Sequence, residues 1–176
     1  MPAEGPVIVA ANHLSNLDPV VVGCLFRRNI TFLAKAELFR IPLLKTVIKA
    51  FGAIPLHRGR SDVAAMRTAM EVLREGRVLC LFPEGTRSRT GELLPLKQGV
   101  AMLAWKSGAP VLPVALWGTN RWGLSRVKAK VGKPLYFEEY RQNWHGSKNE
   151  LYRQMTAEVE KRLRELLAEL KEEKQC

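Results

Sequence analysis

His13 and Asp18 stand five residues apart in Asn12-His13-Leu14-Ser15-Asn16-Leu17-Asp18, an imidazole and a carboxylate within one short polar stretch. On a single helix that separation would turn the two side chains about 140° apart, so they can meet only in a turn. There the carboxylate would fix the ring tautomer and stabilise the imidazolium, leaving the other ring nitrogen to take a proton. Such a pair is a general base with no nucleophile of its own. The plainer alternative is a turn histidine beside an aspartate that only caps a helix. A metal site is not expected: His13 and Asp18 supply two ligands, and neither His57 nor His145 adds a metal-ligand spacing.

A second polar segment, Phe82-Pro83-Glu84-Gly85-Thr86-Arg87-Ser88, follows the apolar run Val78 to Leu81 and suits an anion. Gly85 permits close backbone approach, Thr86 and Ser88 offer hydroxyls, and the Arg87 guanidinium can grip a phosphate through two parallel hydrogen bonds. Glu84 can anchor that arginine or a substrate hydroxyl. The alternative is a polar turn with a surface arginine. Two further cations follow strand-like runs: Arg58 after Ala53 to His57, and, more weakly, Lys35 after Ile30 to Ala34. Either can instead be an ordinary solvated charge.

These residues need elements to hold them, and the chain supplies alternating ones. Pro6 to Ala11 is a short β-type run, and Asp18 then Pro19 make a helix start, with aspartate as N-cap and proline at the first helical position. Strand-like runs recur at Ile30 to Ala34, Ala53 to His57, Val78 to Phe82 and Val111 to Leu116. One or two more fall between Val127 and Phe137, broken at Gly132 and Pro134. Helical patterns occupy Pro42 to Phe51, Ser61 to Arg74 with Gly76 as the stop, and Lys97 to Ser107. From Glu150 onward Leu151, Met155, Val159, Leu163, Leu166, Leu167 and Leu170 recur at helical spacing. Glu158 with Arg162, and Glu160 with Arg164, are i to i+4 pairs. The expectation is one α/β domain over 1–176: a mixed, largely parallel sheet flanked by helices, with a core over about 6–137 and a long amphipathic helix over about 148–174. Sites in such sheets lie beyond the strand C-terminal ends, which is where both polar segments fall.

With 47% hydrophobic and 26% charged residues the chain has the balance of a folded domain. A net charge of +11 calls for an anionic partner, whether nucleic acid, phosphate ester or acidic lipid. Nucleic acid is not expected, because no nucleic-acid motif occurs and the aromatics are not interleaved with the basic clusters. Cys24, Cys80 and Cys176 lie too far apart for a disulfide framework or a CxxC site. The longest uncharged stretch, Ser107 to Asn120, is too short to span a bilayer and holds two prolines. No signal peptide precedes the first strand, so the cytoplasm is the expected compartment.

Taken together the blocks resemble those of the glycerolipid acyltransferase superfamily, specifically the 1-acyl-sn-glycerol-3-phosphate (lysophosphatidate) acyltransferases. NHLSNLD at 12–18 matches the family's NHxxxxD block, GAIPLHR at 52–58 its arginine-bearing block, FPEGTRS at 82–88 its EGTR block, and VLPVAL at 111–116 its proline-containing strand. LAKAEL and IPLL, between the first two, are also similar. The order is the family's order.

The resemblance implies a glycerol-3-phosphate acyltransferase-like fold and a specific reaction. His13, oriented by Asp18, deprotonates the free sn-2 hydroxyl of a lysophospholipid. The hydroxyl attacks the thioester of acyl-CoA or acyl-carrier protein and gives phosphatidic acid. Arg58 and Arg87 would hold the acceptor phosphate, with Glu84, Gly85 and Thr86 shaping its pocket and Lys35 a weaker candidate there or as the oxyanion donor. No cofactor is implied; the acyl donor is a substrate. Glycerol 3-phosphate or another lysolipid is the alternative acceptor, and a non-catalytic basic anion-binding module the distant alternative. Family members carry a helical or membrane-spanning segment ahead of the first strand, whereas here that strand begins within a few residues of Met1. Peripheral attachment to the cytoplasmic face of a membrane is expected instead, through basic side chains; Leu38, Phe39, Ile41, Leu43, Leu44, Ile48 and Phe51 either add an interfacial apolar patch or, as the plainer alternative, pack in the core.

Overall fold

The computed structural model describes residues 1–35, 53–56, 62–120 and 127–172. Within them the elements run β1 (Val7–Ala11), α1 (Asp18–Cys24), β2 (Ile30–Lys35), β3 (Ala53–Leu56), α2 (Asp62–Arg74), β4 (Val78–Leu81), α3 (Gly99–Ser107), β5 (Val111–Trp117), β6 (Lys128–Val131), α4 (Glu138–Asn143) and α5 (Lys148–Glu172). The strands form one sheet in the order β3-β2-β4-β1-β5-β6. The first five are mutually parallel, and β6 runs antiparallel on β5. The expected helix over Pro42 to Phe51, the apolar patch around it and the Ser61 cap lie outside the described residues.

Side-chain alternation along the strands divides the core in two. Ile8, Ala10, Leu79, Val111 and Ala115 face α2, α3 and α5, whereas Val7, Val9, Ala11, Val78, Cys80, Leu112, Val114 and Leu116 face the opposite way, where Val22 of α1 packs. All seven apolar positions read as the α5 stripe are buried. Its exposed side carries the Glu158–Arg162 and Glu160–Arg164 pairs at 3.0 and 2.6 Å. α2 ends where Gly76 takes φ 70°, and the N–H of Arg77 closes back on the Val72 carbonyl.

The elements differ from expectation at the start of α3 and at α4. α3 begins at Gly99, two residues late, and the Lys97 N–H ahead of it donates to the Pro83 carbonyl at 2.8 Å. Pro113 lies within β5. Its carbonyl accepts the Gly132 N–H, and Val111 exchanges two hydrogen bonds with Leu135, where continuing the Val114–Val131 register would give residue 134. The extra residue falls at Lys133–Pro134, beside the strand position that has no N–H to offer. The short helix α4, with sequence EEYRQN, shows no apolar period by which to be found. No helix among the described residues is long and apolar enough to cross a membrane.

Because α5 is joined to the sheet by its buried stripe, Leu163→Ala is expected to cost about 2 to 5 kcal/mol. Arg162→Ala, on the exposed face, is expected to leave the urea midpoint essentially unchanged. Equilibrium unfolding of the two variants checks the contrast.

Candidate active site

β4, β1 and β5 are adjacent and parallel, so the segments leaving Ala11, Leu81 and Trp117 emerge side by side at one edge of the sheet. The first link between them is Asn12. Its side-chain amide donates to the Leu116 carbonyl at 3.0 Å while its oxygen accepts the Leu116 N–H at 2.7 Å, extending the β1–β5 ladder with a side chain in place of a peptide group. The main chain is thereby free to turn at His13.

In that turn the His13 Nδ1 lies 2.7 Å from Asp18 Oδ2. The same oxygen accepts the N–H groups of Leu14 and Ser15 at 2.6 and 2.7 Å, and the Thr119 hydroxyl donates to Oδ1 at 2.5 Å. Asp18 is fully buried. The N-cap of α1 is Leu17, with no side-chain cap bond, so the expected capping role of Asp18 does not hold. The carboxylate turns back toward residues 13–15, away from the helix N–H groups it would cap. Pro19 lies in the first turn, at the second helical position and not the expected first.

The imidazole is fixed from several sides. Phe82 stacks on it with centroids 4.1 Å apart and planes 21° apart. The His13 N–H donates to Glu84 Oε1 at 2.6 Å, and the His13 carbonyl accepts the Ser88 N–H at 2.8 Å. With Nδ1–H directed at the carboxylate, Nε2 holds the free lone pair, and no described residue bonds it. The side chain retains 19% of its surface, so a proton donor can reach it.

Glu84 is used differently from what its motif suggests. It is buried, its second oxygen accepts the Leu94 N–H at 2.8 Å, and no hydrogen bond joins it to Arg87. It pins the His13 turn to its own loop through backbone donors. Burial pushes its carboxyl above the usual carboxylate range, while the two N–H donors and the nearby His13 oppose that rise. Cys80, beneath the site, is held firmly as the neutral thiol, chiefly by burial and then by the Asp18 charge.

Gly85, Thr86 and Arg87 are exposed beside this assembly. Gly85 adopts φ 71°, and a Cβ there would come within 2.7 Å of both Cε and Nζ of Lys97. Its lack of a side chain thus serves both the turn and the close passage of Lys97. Lys97 is a cation at this edge that the motifs did not indicate, since it lies just ahead of a helix and ten residues beyond Arg87. Neither Arg87 nor Lys97 has a carboxylate partner among the described residues. Lys35 ends β2 at the same edge, its backbone paired in register with Leu56. Arg58 and His57 lie outside the described residues. Thr119 was also missed: a threonine in a Gly-Thr-Asn turn carries no signal of a partner 101 residues away. Among the described residues no cluster of three His, Cys, Asp or Glu is placed to hold a metal ion.

Comparisons with known proteins bear on the family and the fold. The family model described as Acyltransferase matches residues 1–117. A 1-acyl-sn-glycerol-3-phosphate acyltransferase from Borreliella burgdorferi is 36% identical over 138 residues, 77% of this chain and 55% of its own length. One from Bacillus subtilis is 28% identical over 171 residues, 94% of this chain and 83% of its own. The crystal structure of the 1-acyl-sn-glycerophosphate (LPA) acyltransferase PlsC from Thermotoga maritima superposes with a TM-score of 0.74 at 32% identity, over 97% of this chain and 68% of that one. The chain thus spans only about half the length of the Borreliella relative.

Glu84→Ala leaves the His13 and Leu94 N–H groups without their acceptor, at a cost of about 1 to 3 kcal/mol for each donor kept from water. Thr86→Ala, on exposed surface, is expected to stay within about 0.5 kcal/mol of the parent. Thermal and urea unfolding of both variants tests whether the motif's glutamate is a structural clamp.

Proposed function

The chain belongs to the acyltransferase family, and we propose that it moves a fatty acyl group from a thioester to the sn-2 hydroxyl of 1-acyl-sn-glycerol 3-phosphate, giving phosphatidic acid. The observation that carries this is the 2.7 Å contact of His13 Nδ1 with the buried Asp18 carboxylate, beside a loop that presents Arg87. Relatives bearing the name 1-acyl-sn-glycerol-3-phosphate acyltransferase support the choice of acceptor.

In the proposed reaction the acceptor hydroxyl binds against Nε2, which removes its proton as the oxygen attacks the thioester carbonyl. The tetrahedral intermediate collapses with cleavage of the C–S bond, and the imidazolium returns its proton to the departing thiolate. The products are an ester and a free thiol, with no acyl-enzyme on the path. Asp18 stabilises the transient imidazolium. The phosphate is held by Arg87 and by Arg58, with Gly85 and Thr86 forming the wall of the acceptor pocket and Lys35 available at the same strand edge. Glu84 contributes by holding the His13 backbone. The donor is acyl-CoA or acyl-carrier protein and no cofactor takes part. The basic surface lets the protein work peripherally on the cytoplasmic face of an anionic membrane.

A panel of acyl-CoA and acyl-carrier-protein donors against lysophosphatidate, glycerol 3-phosphate and a lysolipid without a terminal phosphate, read by mass spectrometry, tests the acceptor. Lysophosphatidate should be the preferred acceptor. Removing the base by His13→Ala should lower kcat/KM about 10²- to 10⁴-fold with the fold retained. Arg87→Ala should raise the KM for lysophosphatidate about tenfold, the scale of one charge-assisted hydrogen bond. Undiminished turnover by folded His13→Ala protein would refute the mechanism.

A further inference from the structure

We propose that Thr119 is a positioning residue of the transfer reaction, holding the Asp18 carboxylate in the one orientation that serves His13. This rests on His13 acting as the base. Asp18 Oδ2 is occupied by the His13 ring and by the N–H groups of Leu14 and Ser15, all from the same turn. Oδ1 points the other way, and the Thr119 hydroxyl meets it at 2.5 Å from a different strand connection. Both residues are buried, Asp18 completely and Thr119 with 5% of its surface remaining. In that setting a carboxylate oxygen without a donor is costly, and the hydroxyl is the donor the structure supplies.

The placement of Thr119 is itself constructed. β5 is tied to β1 by the paired bonds of Asn12 with Leu116. Gly118 then takes φ 83°, turning the chain one residue beyond the end of the strand. The turn delivers Thr119 to the side of Asp18 opposite the imidazole. Removing the hydroxyl leaves Oδ1 without its donor, so the carboxylate is anchored only through Oδ2, by the ring and the Leu14 and Ser15 N–H groups, and its plane tilts about that oxygen, loosening the alignment with Nδ1. Thr119 has no part in the phosphate-binding loop, so the effect falls on turnover and not on acceptor affinity.

The test uses Thr119→Val, which keeps the shape and removes the hydroxyl, and Thr119→Ser, which keeps the donor. Each is assayed with an acyl-CoA and lysophosphatidate, alongside His13→Ala. Thr119→Val is expected to lower kcat about 10- to 100-fold with the acceptor KM within about twofold of the parent. Thr119→Ser should stay within about threefold of the parent. Wild-type kcat in Thr119→Val overturns the inference, as does a loss that Thr119→Ser shares in proportion to lost folded protein. If Thr119→Val melts below the assay temperature, Thr119→Ala removes the hydroxyl without a second methyl against the carboxylate and is judged by the same criteria. An inactive His13→Ala with a fully active Thr119→Val would overturn this inference alone, whereas an active His13→Ala would overturn the base on which it rests.

Discussion

A carboxylate with no exposed surface organises this edge of the molecule. Burying the Asp18 charge is unfavourable unless donors replace the water it loses, and the four that do so come from two parts of the chain: the His13 ring with the Leu14 and Ser15 N–H groups, and the Thr119 hydroxyl. That requirement makes residues 13–18 fold as a closed turn and draws the end of β5 against it. The alignment of the imidazole follows from the solvation of the aspartate. The alignment of the His13–Asp18 pair is therefore a by-product of satisfying a buried charge, and it is as stable as the core that buries it.

Keeping the donors in place is the work of the sheet. β1 lies between β4 and β5, so a turn leaving β1 has a neighbouring segment on each side. From β4 come Phe82 against the ring and Glu84 on the His13 N–H; from β5 come the Asn12–Leu116 bonds and Thr119. Each contact bridges positions about seventy or a hundred residues apart, and none would persist in an isolated loop. The parallel register of β4, β1 and β5 thus serves as the alignment of the site.

The elements were legible because two simple periods govern them: runs of β-branched and apolar residues for strands buried on both faces, and the 3.6-residue stripe of α5. The pairing of His13 with Asp18 was legible in outline, since five residues allow contact only in a turn. Roles that depend on a distant backbone group were not. Asp18 read as a helix cap because aspartate before proline commonly is one, yet its donors lie upstream. Glu84 read as a partner for Arg87 or for a hydroxyl, yet its oxygens are engaged by N–H groups at residues 13 and 94. A backbone donor has the same sequence signature at every non-proline position, so nothing in the residue types could have announced these bonds. Thr119 and Lys97 escaped for a related reason, being ordinary polar residues whose neighbours are chosen by topology.

The charge distribution completes the picture. From Lys148 to the end, seven Lys and Arg face seven Asp and Glu, so the whole excess of +11 resides in residues 1–147. α5 lies over one face of the sheet and spends its charges on pairs within its own length and with Lys130 and Glu92. At the strand ends, by contrast, Arg87 and Lys97 are exposed without carboxylate partners among the described residues. An anion approaching such a molecule is drawn by the unpaired cations and gains little from the self-neutralised helix. Because ion pairing on α5 removes a competing field there, the exposed cations beside His13 are left to draw an anion. An acceptor with a phosphate at one end and a hydroxyl near it would then arrive with the phosphate leading, toward the loop beside His13.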